Sequence, residues 1–239
     1  MSSELNKPDD QTARTEALWT LMYFALYLVY LSFSLENEFL HWLSLVIVPF
    51  GFLFLFQRTT MSPWSLRSSL STVGLEKQRA RNGIIWAVLI GLVLSGLQLF
   101  LSRNRDQILE VLGSRKVFIL FPVSLIMMLF LAGFTEEFFF RGVLQTRLQR
   151  LFKSNVVAVL VTSGLFGLYH LPYAYLNPRW PSHGNWPDAF GAAFGQGVPM
   201  GLILGTVYVR TKNNLVACVL VHALINSFPG MLMIKIGGA

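Results

Sequence analysis

The sequence predicts an all-α protein, a polytopic membrane helical bundle of about seven to eight transmembrane helices. Three observations support this fold class. Only 13% of the 239 residues are charged and 54% are hydrophobic, whereas soluble domains carry roughly 25% charged residues. The mean hydropathy is +0.54. Several separate apolar runs are long enough to cross a bilayer, which excludes an ordinary soluble fold.

Seven apolar runs follow one another along the chain, and each predicts a membrane-spanning helix. They cover residues 18–33, 39–56, 84–101, 117–133, 155–171, 189–208 and 215–228. Pro172 is expected to end the fifth helix. In the sixth, Gly191 and Gly195 form one pair of small residues at helical spacing, and Gly201 and Gly205 form another. Such pairs allow close helix contact.

Polar segments separate these runs and complete a four-part division of the chain. We expect a polar N-terminal segment (residues 1–16), N-terminal transmembrane helices with basic loops (17–116), a catalytic transmembrane core (117–228) and a C-terminal tail (229–239). The first segment is expected to be disordered or interfacial, and the tail could re-enter the membrane as a partial eighth span. Residues 102–116 predict a short amphipathic surface helix through Ile108, Leu109 and Leu112.

The basic residues argue for a membrane orientation rather than for nucleic-acid binding. The formal net charge is +7, but the basic residues are scattered over the loops between the apolar runs. Basic loops set the orientation of membrane proteins, and their asymmetry here favours an N-terminus in the cytoplasm. The basic 102–116 segment argues against that orientation. The single cysteine, Cys218, excludes an internal disulfide framework.

The most unusual stretch is residues 134–141, which read FTEEFFFR. Its two carboxylates follow directly on an apolar run, and charged groups at membrane depth face a protein interior or a wet cavity because exposure to lipid costs several kcal/mol. If the helix continues past Gly133, Glu137 and Arg141 lie one turn apart and can pair. Glu136 is rotated by about 100° and has no local partner. Glu137–Arg141 therefore fits either a structural clasp or a site, and Glu136 indicates a site.

Three more polar residues lie in apolar surroundings, namely His170, His222 and Asn226. The spacing of the last two places them on one helical face. Together with the acidic stretch, they supply carboxylate, imidazole and amide groups from three predicted helices, and these groups could converge on one interior cavity. A base, a proton carrier and hydrogen-bond donors are what hydrolysis of an amide by activated water requires.

Each polar residue also has a structural interpretation. A lone histidine at the end of a span is often interfacial, as we expect for His41 and His183 and as His170 would be if it stood alone. Asn226 alone is typical of interhelical hydrogen bonding. Cys218, one turn before His222, allows a thiol nucleophile, although a free cysteine is commonly a small buried hydrophobe. A proton-coupled transporter would also use intramembrane Glu and His, but the sequence shows no paired inverted repeat.

Taken together, the motifs resemble the CPBP family of intramembrane endopeptidases, the CAAX protease and bacteriocin-processing group also called Abi. The family signatures Glu-Glu-x-x-x-Arg, Phe-x-x-x-His and His-x-x-x-Asn all occur, in the family's order. They are Glu136-Glu137-x-x-x-Arg141, Phe166-x-x-x-His170 and His222-x-x-x-Asn226. The resemblance covers about residues 120–228.

The resemblance implies a role for each signature residue. Glu136 would be the general base that activates a water, with His170 assisting; His222 and Asn226 would stabilise the oxyanion; Glu137 and Arg141 would support the site. It further implies a multi-pass protease, of a bacterial cytoplasmic membrane, that cuts a membrane-associated or lipidated polypeptide. The alternative is a non-catalytic immunity or scaffold protein that uses the same polar cluster structurally.

The resemblance does not decide whether a metal cofactor is needed, because the family has been described both as metalloproteases and as metal-independent glutamate proteases. His170, His222 and a glutamate would satisfy a catalytic zinc site with one open position. The sequence contains no His-Glu-x-x-His arrangement, however, and a glutamate-activated water needs no metal. The favoured expectation is that no cofactor is required, with a divalent metal such as zinc as the alternative.

Overall fold

The computed structural model describes residues 10–32, 38–60, 64–76, 83–102, 104–178 and 180–234. Within these residues the chain forms helices and no strands, so the all-α prediction is confirmed. In chain order the helices are α1 (Asp10–Leu31), α2 (Phe39–Thr60), α3 (Leu66–Thr72), α4 (Ile84–Leu101), α5 (Arg105–Gly113), α6 (Val117–Phe152), α7 (Asn155–Leu176), α8 (Trp186–Arg210) and α9 (Leu215–Met231).

Five of the described helices, α2, α4, α6, α7 and α8, are long and apolar enough to cross a membrane. Helix α9 is apolar but shorter. An integral membrane protein is therefore confirmed, whereas the count of seven to eight spans stays a prediction. The first residues of the predicted tail continue α9, which ends at Met231. Residues 235–239 of the tail lie outside the described residues.

The polar N-terminal segment differs from the prediction, because α1 begins at Asp10 and includes residues up to 16. Glu16 is buried on α6, where its Oε2 accepts a hydrogen bond from Arg150 at 3.0 Å and lies 3.6 Å from Nε of the fully buried Arg147. Burying a charge requires a partner of opposite sign. The contacts of Glu16 with Arg147 and Arg150 therefore hold the first part of α1 against α6. Residues 1–9 lie outside the described residues.

Helix α7 also differs from the prediction, since it continues through Pro172 to Leu176. Proline removes one N–H from the helical ladder, and membrane helices tolerate this loss where neighbouring groups surround them. The turn after Pro172 has such neighbours. The hydroxyl of Tyr173 lies 3.2 Å from Nδ1 of His41, and the carbonyl of Ala174 accepts a hydrogen bond from Ser182. His41 is thus half-buried against tyrosines, and its predicted interfacial position stays a prediction.

The surface helix predicted after the third span is confirmed as α5. Ile108 is 1% exposed and packs with Leu120 and Met231, whereas Leu109 is 41% exposed. One face of α5 therefore covers the ends of α6 and α9, and the other face is open.

Three consecutive phenylalanines after the glutamates, Phe138 to Phe140, are all buried in the main core. The ring of Phe140 meets Phe24 of α1 at 5.8 Å and Phe166 of α7 at 4.9 Å between centroids. Edge-to-face pairs of this kind stabilise a core beyond the area they bury. The run therefore packs the acidic segment of α6 against its neighbours.

Helices α7 and α8 approach closely at glycines, but not at all of the predicted ones. A Cβ at Gly201 would lie 2.8 Å from Cα of Ser163, and one at Gly197 would lie 3.1 Å from Cα of Gly167. Gly205 lies close to both α6 and α7, since a Cβ there would be 2.9 Å from Oε1 of Gln145 and 3.1 Å from Cγ1 of Val159. Gly191 and Gly195 face open space among the described residues, so the prediction for this pair is wrong. Periodicity identified a stripe of small residues but not the part of it that contacts α7.

We expect Gly201→Ala to destabilise the protein by about 1–3 kcal/mol, because the added methyl group would collide with backbone that cannot move away independently. The matched control is Gly195→Ala in the same helix, which has room for the methyl group and gains helix propensity. The midpoint of unfolding in a titration with sodium dodecyl sulfate measures both. Equal effects at the two positions would contradict the close approach at Gly201.

Candidate active site

Glu136 and Glu137 lie where α6 changes its helical geometry. The three residues Thr135–Glu137 are α-helical, and π-helical segments precede and follow them at Leu129–Phe134 and Phe138–Gln145. Short π-helical segments inside α-helices occur frequently at functional sites. As expected, the helix continues past Gly133, and the two neighbouring side chains leave it in different directions. Both glutamates are buried.

Glu137 is the centre of a hydrogen-bonded cluster. Its Oε1 accepts a hydrogen bond from Nη1 of Arg141 at 3.0 Å and another from Nδ1 of His222 at 2.7 Å. Neither side chain of the Glu137–Arg141 pair is exposed at all. The predicted i, i+4 pair therefore exists, and it also holds an imidazole that lies 85 positions further along the chain.

Arg141 reaches two further helices from the same position. Its Nη2 donates to the carbonyl oxygen of Gly201 in α8 at 3.3 Å, and its guanidinium lies over the ring of Phe166 in α7 at 4.5 Å. A desolvated guanidinium over an aromatic face is stabilised by the ring quadrupole. With His222 of α9 bound to Glu137, this one ion pair joins four helices.

His170 is held by its own helix. Its Nδ1 lies 2.7 Å from the carbonyl oxygen of Phe166, and because a carbonyl only accepts, Nδ1 must carry the proton in this contact. Nε2 is then the atom left for other partners. The ring of Phe166 packs edge-on against His170 at 4.6 Å between centroids. Phe166 therefore contributes its carbonyl to His170 and its ring to Arg141.

Glu136 lies between the two imidazoles without bonding to either. Its Oε2 is 3.9 Å from Nε2 of His222 and 4.0 Å from Nε2 of His170, and both distances are too long for a hydrogen bond. The oxygen is buried and has no hydrogen-bond partner among the described residues. The side chains of Glu136 and His170 are 12% and 21% exposed, so the cluster is not completely sealed.

Asn226 and Cys218 lie on α9 with His222 but take less part in the cluster. Asn226 is half-buried, one turn beyond His222, and the described residues make no hydrogen bond to it. Its role at the oxyanion stays a prediction. The thiol of Cys218 is fully buried and lies 3.5 Å from the carbonyl oxygen of Leu204, which accepts from it. That environment favours the small buried hydrophobe over a nucleophile.

The donor atoms of Glu136, His170 and His222 do not form a metal-binding set as they are arranged. Among the described residues, no group of three or more His, Cys, Asp or Glu side chains could hold a metal ion. The separations of 3.9 and 4.0 Å from Glu136 exceed the roughly 3.3 Å between ligand atoms that tetrahedral zinc distances of about 2.0–2.1 Å require. These side chains would have to move inward to bind zinc.

Two features of the site were not found from the sequence. One is the ring of Phe166, which a signature spacing marks but does not explain. The other is Gly201, whose carbonyl oxygen binds Arg141 and whose missing side chain lets α8 approach Ser163. The contacts of both residues with Arg141 join different helices, so no local pattern could reveal them.

Part of the chain matches the model of a known protein family. Residues 118–228 match the family described as Rce1-like, Type II CAAX prenyl endopeptidase Rce1-like. The matched segment begins one residue into α6, ends within α9, and contains all three signatures. Comparison with curated proteins and with solved structures gives no match.

We expect Glu137→Gln to destabilise the protein by about 3–5 kcal/mol, because it leaves the guanidinium of Arg141 buried without its counter-charge. The neighbouring Glu136→Gln is the matched control. Oε2 of Glu136 has no hydrogen-bond partner among the described residues, so replacing Glu136 should change stability by less than about 1 kcal/mol. Unfolding titrations with sodium dodecyl sulfate compare the two, and a Glu136→Gln variant as unstable as Glu137→Gln would refute this division of roles.

Proposed function

We propose that this protein is an intramembrane endopeptidase whose nucleophile is a water activated by Glu136, of the kind indicated by the match of residues 118–228 to the Type II CAAX prenyl endopeptidase Rce1-like family. One observation carries the mechanism. Oε2 of Glu136 is buried and has no hydrogen-bond partner among the described residues. It lies near Nε2 of His170 and Nε2 of His222. The Nδ1 atom of each of these histidines already makes a hydrogen bond.

In the proposed first step, a water bound against Glu136 gives a proton to Oε2 while its oxygen attacks the carbonyl carbon of the scissile peptide bond. The carbonyl oxygen becomes an oxyanion. In the second step the C–N bond breaks, and the proton on Glu136 passes to the leaving amine. Atoms and charges balance over the cycle, since one water is consumed and a carboxyl and an amine are formed. General-base catalysis of this kind contributes about 10²–10⁴-fold in rate.

The two histidines have different roles in this scheme because their hydrogen bonds differ. His170 donates through Nδ1 to a backbone carbonyl, so in the neutral ring its Nε2 is a proton acceptor that can assist the transfer from water. His222 donates through Nδ1 to Glu137, so it can donate to an oxyanion only as an imidazolium, through Nε2. Asn226, one turn further along α9, would supply a second donor there.

The proposed substrate is a membrane-associated or lipidated polypeptide. The proposal rests on the family of residues 118–228 and on the position of the cluster on helices that are long and apolar enough to cross a membrane. The side chains that would meet the scissile bond are carried by α6, α7 and α9, and the first two are among these candidate spans. A polypeptide tethered to the bilayer would reach this depth more readily than a fully soluble one.

A structural role for the same cluster is the second candidate function. The buried ion pair of Glu137 and Arg141 joins four helices, which is what a non-catalytic membrane scaffold or immunity protein would need. That structural role involves Glu137 and Arg141 but does not require the unpaired oxygen of Glu136. Replacing Glu136 should therefore abolish activity if the protein is a protease and leave function intact if it is a scaffold.

We expect Glu136→Gln to lower the proteolytic rate of the purified protein by at least about 100-fold while it remains folded. The assay uses liposome-reconstituted protein and a panel of fluorogenic peptides that are free, acylated, prenylated or joined to a membrane helix. The control is Glu110→Gln on α5, which removes a carboxylate outside the cluster. If the wild type cleaves and Glu136→Gln cleaves as fast, the mechanism is wrong; if the wild type cleaves nothing while function in cells persists, the scaffold is favoured.

Proteolysis by the mechanism proposed here should also survive removal of divalent cations. We expect dialysis against a strong chelator to leave the rate within about twofold, because none of the proposed steps passes through a metal. Metal analysis of the purified protein accompanies the assay. A rate that falls with chelation and returns on addition of zinc would replace this scheme with a metal-assisted one, in which His170, His222 and Glu136 move together as ligands.

A further inference from the structure

A groove of about 820 Å³ lies between the beginning of α4 and the end of α8, away from the candidate active site. Its α4 wall is apolar and open. Ile85, Trp86 and Leu89 line it and are 75%, 66% and 50% exposed. Because α4 is one of the helices long and apolar enough to cross a membrane, we expect this wall to face the acyl region of a bilayer.

The end of the groove is basic. Arg210, the last residue of α8, and Lys212 line the groove, and both are exposed. Among the described residues neither one forms an ion pair or a side-chain hydrogen bond. Cations at the end of a helix are common for electrostatic reasons alone, so these charges become informative only through the groove that they border.

The loop that carries Lys212 is fixed rather than loose. Lys212 and Asn213 have φ angles of 60° and 59° and turn the chain sharply after α8. The N–H of Asn213 donates to the carbonyl of Tyr208 at 2.7 Å, and the N–H of Leu215 donates to the carbonyl of Gly74 at 3.2 Å. The backbone on both sides of Lys212 is therefore tied to α8 and to Gly74.

The start of α4 adds a third favourable feature. Gly83 lines the groove and is the N-cap of this 18-residue helix, and it provides no side-chain cap for the first turn. Uncapped N–H groups at a helix N-terminus favour an anion. Backbone donors and two cations thus border one end of the groove, and apolar side chains line its length.

We propose that this groove binds one anionic glycerophospholipid, with its phosphate at Arg210 and Lys212 and an acyl chain along Ile85, Trp86 and Leu89. A zwitterionic lipid would fit the apolar wall but would leave the two cations without a net counter-charge. Basic pockets between membrane helices recognise anionic headgroups by this combination of charge and apolar surface. The site is independent of the proposed proteolysis, because none of its residues contacts Glu136, Glu137 or the two histidines.

The test compares phosphatidylglycerol with phosphatidylcholine of the same acyl chains, added to the protein in an uncharged detergent. We expect phosphatidylglycerol to raise the Tm by several degrees through preferential binding to the folded state, and phosphatidylcholine to raise it much less. Native mass spectrometry gives the affinity. In the Arg210→Gln/Lys212→Gln variant the affinity for phosphatidylglycerol should fall about thirtyfold, while its Tm without lipid stays close to that of the wild type.

The matched control is Arg58→Gln/Arg67→Gln, which removes the same number of exposed charges from residues outside the groove. These residues lie at the same end of the bundle, since α3 leads into Gly74, which bonds to Leu215. Retained affinity in this control supports a local site. An equal loss in both double variants would mean general surface attraction, and equal binding of the two lipids by the wild type would mean an apolar groove only; either outcome overturns the proposal.

Discussion

The ion pair between Glu137 and Arg141 is the constraint on which the rest of the core depends. Neither side chain is exposed, and a buried charge without a full set of partners would cost several kcal/mol. The partners come from every direction: an imidazole from α9, a carbonyl from α8 and an aromatic ring from α7. Oε1 of Glu137 and the two terminal nitrogens of Arg141 therefore have all of these partners only when the helices are assembled around α6, whereas Oε2 of Glu137 and Nε of Arg141 have no hydrogen-bond partner among the described residues.

The same constraint explains why the neighbouring glutamate is left free. Arg141 is committed to Glu137, Nδ1 of His222 is committed to Glu137, and Nδ1 of His170 is committed to the carbonyl of Phe166. Only the two Nε2 atoms remain for Glu136, at 3.9 and 4.0 Å. The fixed hydrogen bonds thus orient both rings, and no bond to protein neutralises the carboxylate between them. Preorganised groups of this kind lower a barrier without rearranging during the reaction.

The sequence predicts those contacts of the cluster that lie within one helix. Helical periodicity is sufficient to pair Glu137 with Arg141 and to separate Glu136 from both, because these relations depend only on neighbours along one helix. It cannot show that Glu137 binds His222 or that Arg141 binds Gly201, since those contacts depend on how helices pack. The glycine prediction fails for that reason: spacing marks Gly191 and Gly195 as well as Gly201, and only tertiary contact decides which of them meets α7. The polar start of α1 is similar, because Glu16 is paired with Arg147 and Arg150 of α6, which only tertiary contact brings close to it.

Helix α8 connects the active-site cluster with the basic groove, and its rigidity determines what a ligand in the groove could do. Gly201 contacts Ser163 and binds Arg141, whereas Arg210 borders the groove nine positions later, or about 13 Å along a helix at 1.5 Å per residue. The groove and the cluster therefore share a helix, but none of the residues that line the groove belongs to the cluster. A lipid held at the end of α8 would stabilise the folded helix by binding to it, without contacting Gly201 or Arg141. Its effect would thus fall on the folding of the site, while the chemistry would still depend on Glu136 and the two imidazoles.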